Sequence, residues 1–197
     1  MTICLRNSFT LFLLLSFTLG CQFFSQVQKK IEESQKPNVI TCTDGKCQLT
    51  VPGNWSPQKD LNDDANLQAG NLRAEQYAVI ISELKADFTS EVDLNAFTEI
   101  VRKGVNETIK TPIVSENRPL TVNGYPAIQF DVAGSVENIK ARWLYTIVGT
   151  PKNYHQILTW TLNSKYEANK PVFLDVINSF KEIEDSISSP PADTAKP

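Results

Sequence analysis

An α+β fold, in which antiparallel hairpins build a sheet and helices pack on it, is what the sequence predicts. Three observations lead there. Asp44-Gly45 and Asn123-Gly124 each separate strand-like runs, and such dipeptides suit two-residue hairpin turns because both central residues need positive φ. Runs such as Tyr125 to Val132 alternate apolar and polar residues, the period of a strand. Only two stretches in the body of the chain carry a helical period, and they are not set among strands in regular alternation, which disfavours parallel βαβ winding.

The bulk composition suits this class. The chain has 197 residues, 41% hydrophobic and 21% charged, enough for one domain with extensions and a core that needs no metal or dense disulfide framework. The formal net charge is −3. No basic run reaches five residues and nothing interleaves basic with aromatic side chains, so no nucleic-acid partner is expected. One His, one Met and four Cys leave the usual catalytic side chains scarce.

Residues 1–20 have the parts of an export signal. Arg6 supplies positive charge, Phe9 to Leu19 is an apolar run broken only by Thr10, Ser16 and Thr18, and the small Gly20 precedes Cys21. The run is shorter than the roughly 20 residues a spanning helix needs. An uncut N-terminal anchor helix is the alternative. The segment is similar to a bacterial lipoprotein signal, with Gly20 and Cys21 matching and Thr18-Leu19 in the less usual order. That resemblance implies cleavage before Cys21, lipidation of its sulfur and acylation of its new amine. Each buried CH₂ contributes about 0.8 kcal/mol and stable anchoring takes two lipid signals, so the expectation is a tethered protein facing the periplasm or thylakoid lumen. Removing residues 1–20 takes one of 19 basic residues and no acid, leaving 18 against 22 and a net of −4. Charge therefore gives no attraction to anionic lipid. Residues 21–38, polar and of mixed charge, read as a flexible tether.

The folded domain is expected over 39–184. Its first feature is the hairpin VITCTDGKCQLTV. With Asp44-Gly45 as a two-residue turn, Cys42 faces Cys47 in a non-hydrogen-bonded pair, where Cα atoms sit roughly 4.5 Å apart. That is close enough for a disulfide, which an oxidising compartment favours. A metal or redox site is the competing reading, against which the four-residue gap and the lack of a second Cys or His pair argue. Cys4 then leaves with the signal, Cys21 carries lipid, and Cys42 pairs with Cys47.

Cys47 to Val51 is a strand closed by Pro52-Gly53, and Glu75 to Leu84 is another. Asp93 caps a helix running to about Ile109. Its apolar face is Leu94, Phe97, Ile100, Val101, Val105 and Ile109, and Glu99, Arg102, Lys103 and Glu107 face solvent. Strands over Leu120–Val122 and Tyr125–Val132 flank Asn123-Gly124; the second places Ile128, Phe130 and Val132 on one side and Gln129 and Asp131 on the other. Lys140–Thr150 and Tyr154–Leu162 flank a turn at Pro151-Lys152-Asn153. A last helix is expected to start at Pro171, a favoured first-turn residue, and to bury Phe173, Val176, Ile177 and Phe180. Residues 185–197 are expected to be disordered.

VPGNW (Val51–Trp55), VNGYPAIQFDVAG (Val122–Gly134), YHQILTWT (Tyr154–Thr161) and FLDVINSFK (Phe173–Lys181) resemble, in that order, the PsbP/Mog1-type domain. The resemblance spans about Cys47 to Ile183. It implies a central antiparallel sheet with helices packed on its faces. It also implies kinship with thylakoid lumen proteins that assist photosystem II, some of them lipoproteins. After Trp55 the stretch SPQKDLNDDANLQAG departs from the photosystem-bound members and places the chain nearer a generic lipoprotein branch.

Chemistry is sparse. His155, on a strand, reads as a partly exposed or hydrogen-bonded surface residue. Asp60, Asp63 and Asp64 lack the spacing of a calcium loop and read as a solvated loop. Ser82 and Ser115 have no base nearby in sequence, and no nucleophile-elbow, phosphate-loop, zinc-protease or dinucleotide fingerprint occurs. Trp55, Trp143 and Trp160 belong to the core or its rim, and two exposed together would mark a partner surface. The expectation is a non-enzymatic, lipid-anchored interaction or assembly domain with an unidentified protein partner, no catalytic residues, no metal site and no cofactor. The alternative is an extracytoplasmic small-ligand or metal-ion binder using a concave face lined by aromatics or carboxylates. A hydrolase assembled from distant residues is the third reading.

Overall fold

The computed structural model describes residues 36–183. Cys4, Cys21, the signal segment, most of the tether and the C-terminal tail lie outside the described residues. Eleven strands and two longer helices run in the order β1 (Asn38–Thr41), β2 (Cys47–Val51), β3 (Ser56–Pro57), β4 (Leu67–Asn71), β5 (Gln76–Leu84), α1 (Leu94–Thr108), β6 (Lys110–Val114), β7 (Arg118–Val122), β8 (Tyr125–Val136), β9 (Ile139–Gly149), β10 (Asn153–Leu162), α2 (Tyr166–Asn178) and β11 (Lys181–Glu182). The large sheet has the order β3-β4-β5-β10-β9-β8-β6, with β7 also on β8; the small sheet is β1-β2-β11. Every strand pair is antiparallel. The α+β class and the central antiparallel sheet are as the sequence predicts, with α1 on one face and α2 on the other.

The hairpins follow local chemistry. Asn123 and Gly124 both have positive φ, 48° and 89°, as a two-residue turn with matched twist demands. The β8–β9 hairpin turns at Glu137 and Asn138, φ 51° and 67°, so β8 runs four residues beyond the expected Val132. Gly134 makes that extension possible: a Cβ there would lie 2.3 Å from Ile109 Cγ2. The residue is small so that the end of α1 can press onto the sheet.

Asp93 caps α1 as expected, its carboxylate accepting from Ala96 N–H at 2.8 Å. Such a cap contributes about 1 kcal/mol. Phe97, Val105 and Ile109 are buried against Phe130, Val132 and Tyr145. Two assignments on this helix change. Ile100 is 50% exposed. Arg102, expected in solvent, lies over the Phe130 ring at 4.9 Å and donates to Ser115 C=O at 2.9 Å, because its long stem reaches across the helix edge to the β6–β7 loop.

The second helix begins at Tyr166, five residues before the expected Pro171. A proline inside a helix forfeits one backbone bond, here that of the third residue able to make one. Burial offsets this. Tyr166, Phe173, Val176 and Ile177 are all sequestered on this helix, and Tyr166 lies in the extra turn. Leu67 to Gly70, the end of the stretch read as departing from the photosystem-bound members, form most of β4, which pairs with β5. The small sheet opens at Asn38, the last residue assigned to the tether, whose side chain donates to Gly53 and Trp55 carbonyls.

Candidate functional site

The two faces of the large sheet carry different chemistry. On the α1 face, strand register sets Tyr77 of β5 opposite Trp160 of β10, and Trp160 opposite Trp143 of β9. The result is a rung of three aromatic rings. Tyr77 and Trp160 stack with centroids 5.2 Å apart and planes inclined 22°. The helix covers only part of this face, and beyond its C-terminal end the rung lines an open cleft of about 520 Å³. Tyr145, Leu158, Ile109, Val136 and Ile139 add apolar walls; Asn62, Glu75 and Glu137 add polar groups. Burial pushes the Tyr145 phenol up to about 12, so it stays neutral. Val136 and Ile139 remain 44% and 57% exposed at the hairpin tip. Trp143 is 9% exposed and Trp160 half-buried. No two tryptophans are exposed together, the condition that would mark a partner surface; Trp143 and Trp160 share one wall of the cleft, while Trp55 is buried and donates from Nε1 to Gln76 Oε1 at 3.1 Å.

On the α2 face two polar nodes are closed in. Asp131 of β8, buried, accepts from the Tyr166 hydroxyl, from Arg118 Nη2 at 2.6 Å and from Lys170 Nζ at 3.4 Å. Arg142 Nη2 lies 3.5 Å from the same carboxylate, and its guanidinium covers the Tyr166 ring at 4.2 Å. Burial alone would raise the Asp131 pKa. The Tyr166 and Arg118 hydrogen bonds, with the nearby cations, outweigh it and hold the carboxyl below its usual range. Burial first, then the ionised Asp131, raises the Tyr166 phenol.

The second node corrects the reading of His155. Its side chain is 1% exposed, under Phe180, with ring centroids 4.9 Å apart. Nε2 meets Glu182 Oε1 at 3.3 Å and Nδ1 meets Ser82 Oγ at 2.8 Å. An ionised carboxylate can only accept, so Nε2 carries the proton and Ser82 donates to Nδ1. Burial lowers the His155 pKa despite Glu182, which keeps the ring neutral. Glu182 in turn accepts from Thr150 Oγ1 and Asn153 Nδ2, both at 2.8 Å. Burial raises its pKa, but these bonds and His155 together bring it below the ordinary value.

The fold therefore gives Ser82 the base its sequence neighbours lack, in a serine–histidine–carboxylate line. The line's surroundings are those of a clamp. Ser82 N–H is already taken by Asn66 Oδ1 at 2.7 Å, so it offers no oxyanion donor, and Ser82 lines neither the aromatic cleft nor a smaller one beside Asn66 and Gln68. The three residues instead join β5, β10 and β11, tying the small sheet to the large one.

Cys42 and Cys47 are joined as a disulfide, with Cα atoms 5.2 Å apart. The turn between them differs from the expected one. Only Gly45, φ 75°, is left-handed; Asp44 accepts from Lys46 N–H through its side chain at 3.0 Å. Cys42 N–H donates to Cys47 C=O at 2.7 Å, so the pair is a hydrogen-bonded one and sits wider than the roughly 4.5 Å expected. The Asp44 carboxylate is within 4.8 Å of both sulfurs, but sulfurs joined to each other present no thiolate to an ion. Asp60, Asp63 and Asp64 are exposed. Their loop is held by Gln68, whose Oε1 accepts from Leu61 and Asn62 N–H at 2.8 and 3.2 Å. Ser115 uses its hydroxyl to accept from Asp131 N–H at 2.9 Å, a structural task.

No protein-family model and no curated protein sequence matches the chain. Solved structures do. Cyanobacterial PsbP (CyanoP) from Synechocystis is similar with a TM-score of 0.57 at 11% identity, over 76% of this chain and 94% of that one. LpqN of Mycobacterium tuberculosis, involved in cell envelope biogenesis, is similar with a TM-score of 0.55 at 13% identity, over 76% and 91%. A Pseudomonas aeruginosa protein described as a putative regulator, PA94, reaches 0.50 at 8% identity, over 76% and 99%. Residues 36–183 form a PsbP-like domain in fold, as the sequence motifs implied.

Proposed function

We propose that this chain is a lipid-anchored extracytoplasmic domain that works by binding, not catalysis, and serves a protein partner in a membrane-associated complex. The observation that carries it is the cleft on the α1 face. It is open, rich in aromatic rings and lined mostly by apolar side chains, the character of a binding surface. Supporting it are the Gly20-Cys21 signal and the polar tether in the sequence. The Cys42–Cys47 disulfide fits an oxidising compartment. The photosystem II accessory role implied by the sequence resemblance is the narrow form of this reading, and the fold likeness to cyanobacterial PsbP favours it.

Intact mass of the membrane-extracted protein tests the anchor. The expected species starts at Cys21 and carries diacylglyceryl and acyl groups; an unmodified Cys21 terminus or retention of residues 1–20 would defeat it. The photosystem form predicts co-migration with photosystem II complexes in solubilised thylakoids, and migration apart from them would remove it. An extracytoplasmic small-ligand binder is the second reading, favoured by the same cleft.

A further inference from the structure

We infer that the cleft on the α1 face takes a small organic cation with an apolar body, of the quaternary ammonium class. This deepens the binding reading above and rests on it. The argument joins three observations. First, the cleft floor is electron-rich: Tyr77, Trp160 and Trp143 form one rung, with Tyr145 on the next. A cation over such a ring is attracted by its quadrupole, most strongly over tryptophan.

Second, the field of the lining is negative. Its charged residues are Glu75 and Glu137. Glu75 is paired with Lys165 at 2.7 Å, whereas Glu137 has no ion-pair partner among the described residues. The last turn of α1, ending at Thr108 beside the rung, brings the partial negative charge of a helix C-terminus to the same place. An anion would meet Glu137 and the helix end as repulsion.

Third, this chain fills other rings with its own cations. Lys85 lies over Tyr154, Arg102 over Phe130, and Arg142 and Lys170 over Tyr166. Among the described residues no Lys or Arg lies over Tyr77, Trp143, Tyr145 or Trp160. The aliphatic walls at Ile109, Val136 and Ile139 suit methyl groups, which need no hydrogen bonds and would leave no donor unpaired. A saccharide would need its hydroxyls met, and these walls offer none.

Titration calorimetry of the full chain with benzyltrimethylammonium tests this. The expected result is saturable binding with a Kd of roughly 1 mM or tighter, a scale set by so small a ligand. Benzyl alcohol should bind about tenfold more weakly, reflecting the lost charge, and phenylacetate not measurably. Glu137→Lys, at the exposed hairpin tip where folding is not at stake, should weaken ammonium binding several-fold. Trp160→Ala should abolish it. Three results overturn the inference: no binding of the ammonium, equal binding of benzyl alcohol or phenylacetate, or N-acetylglucosamine binding in its place. Failure of the non-catalytic reading would appear elsewhere, as ester hydrolysis lost in Ser82→Ala with ammonium affinity intact.

Discussion

The two faces of the large sheet use the same polar and aromatic residues to opposite ends. Under α2 two buried carboxylates are partnered: Asp131 meets Arg118, Arg142, Lys170 and Tyr166, and Glu182 meets His155, Thr150 and Asn153. Under α1 the helix stops short, and stacked rings, exposed aliphatics and Glu137 are left facing a cleft. Satisfied buried networks rigidify a fold, while unspent apolar surface is what binding uses. The comparison teaches that the closed face holds the domain together and the open face is where a ligand can gain affinity.

The largest effect should come from Asp131→Asn. It strips the charge from a carboxylate 8% exposed, while its cations are 29–45% exposed and can turn to water. The loss, discounted for that solvation, is about 3 kcal/mol in urea unfolding. Loss of less than about 1 kcal/mol would mean that Asp131 is not the closed face's anchor. Next, His155→Gln should cost about 2 kcal/mol by leaving Ser82 or Glu182 poorly matched.

The same node sets a pH dependence. The folded His155 resists protonation more than the unfolded one, so the unfolded state binds more protons and stability falls as pH drops below about 6.5. Asp131 and Glu182, with folded pKa values below their unfolded ones, contribute stability above about pH 4 that is lost as pH falls further. Two stages of acid lability are expected, and His155→Gln should erase the upper one. A single carboxylate-range transition in the wild type would contradict this. The Cys42→Ser/Cys47→Ser pair closes only a short loop, so its loss should cost at most about 2 kcal/mol. Smallest of all, Trp160→Phe keeps a ring against Tyr77 and most of the burial, and should cost about 1 kcal/mol while weakening binding at the cleft. A larger stability loss for Trp160→Phe than for His155→Gln would invert the comparison.

Local signals were legible. Asp93 announced a cap, Asn123-Gly124 a turn, and the alternation of Ile128, Phe130 and Val132 a face. What the sequence hid was the covering of the opposite face. Gln129 and Asp131 look like solvent-facing positions because alternation says only that two sides differ. The signal that both sides are buried lay one strand on, where Trp143 to Val148 is almost continuously apolar. His155 was misplaced for the same reason, since its partners Ser82 and Glu182 come from strands 73 and 27 residues away. Pro171 suggested a helix start; long-range burial of Tyr166 overrode that local preference. The aromatic rung was equally out of reach, because it exists only once the β5–β10–β9 register brings Tyr77, Trp160 and Trp143 side by side.

The three tryptophans report on both faces at once. Trp55 is closed in and bonded through its indole N–H to Gln76, whereas Trp143 and Trp160 line the cleft. Indole N–H resonances recorded during titration with benzyltrimethylammonium therefore test the division of labour directly. Saturable shifts of Trp143 and Trp160 with Trp55 unmoved are the predicted result. Movement of Trp55, or of none of the three, would contradict it.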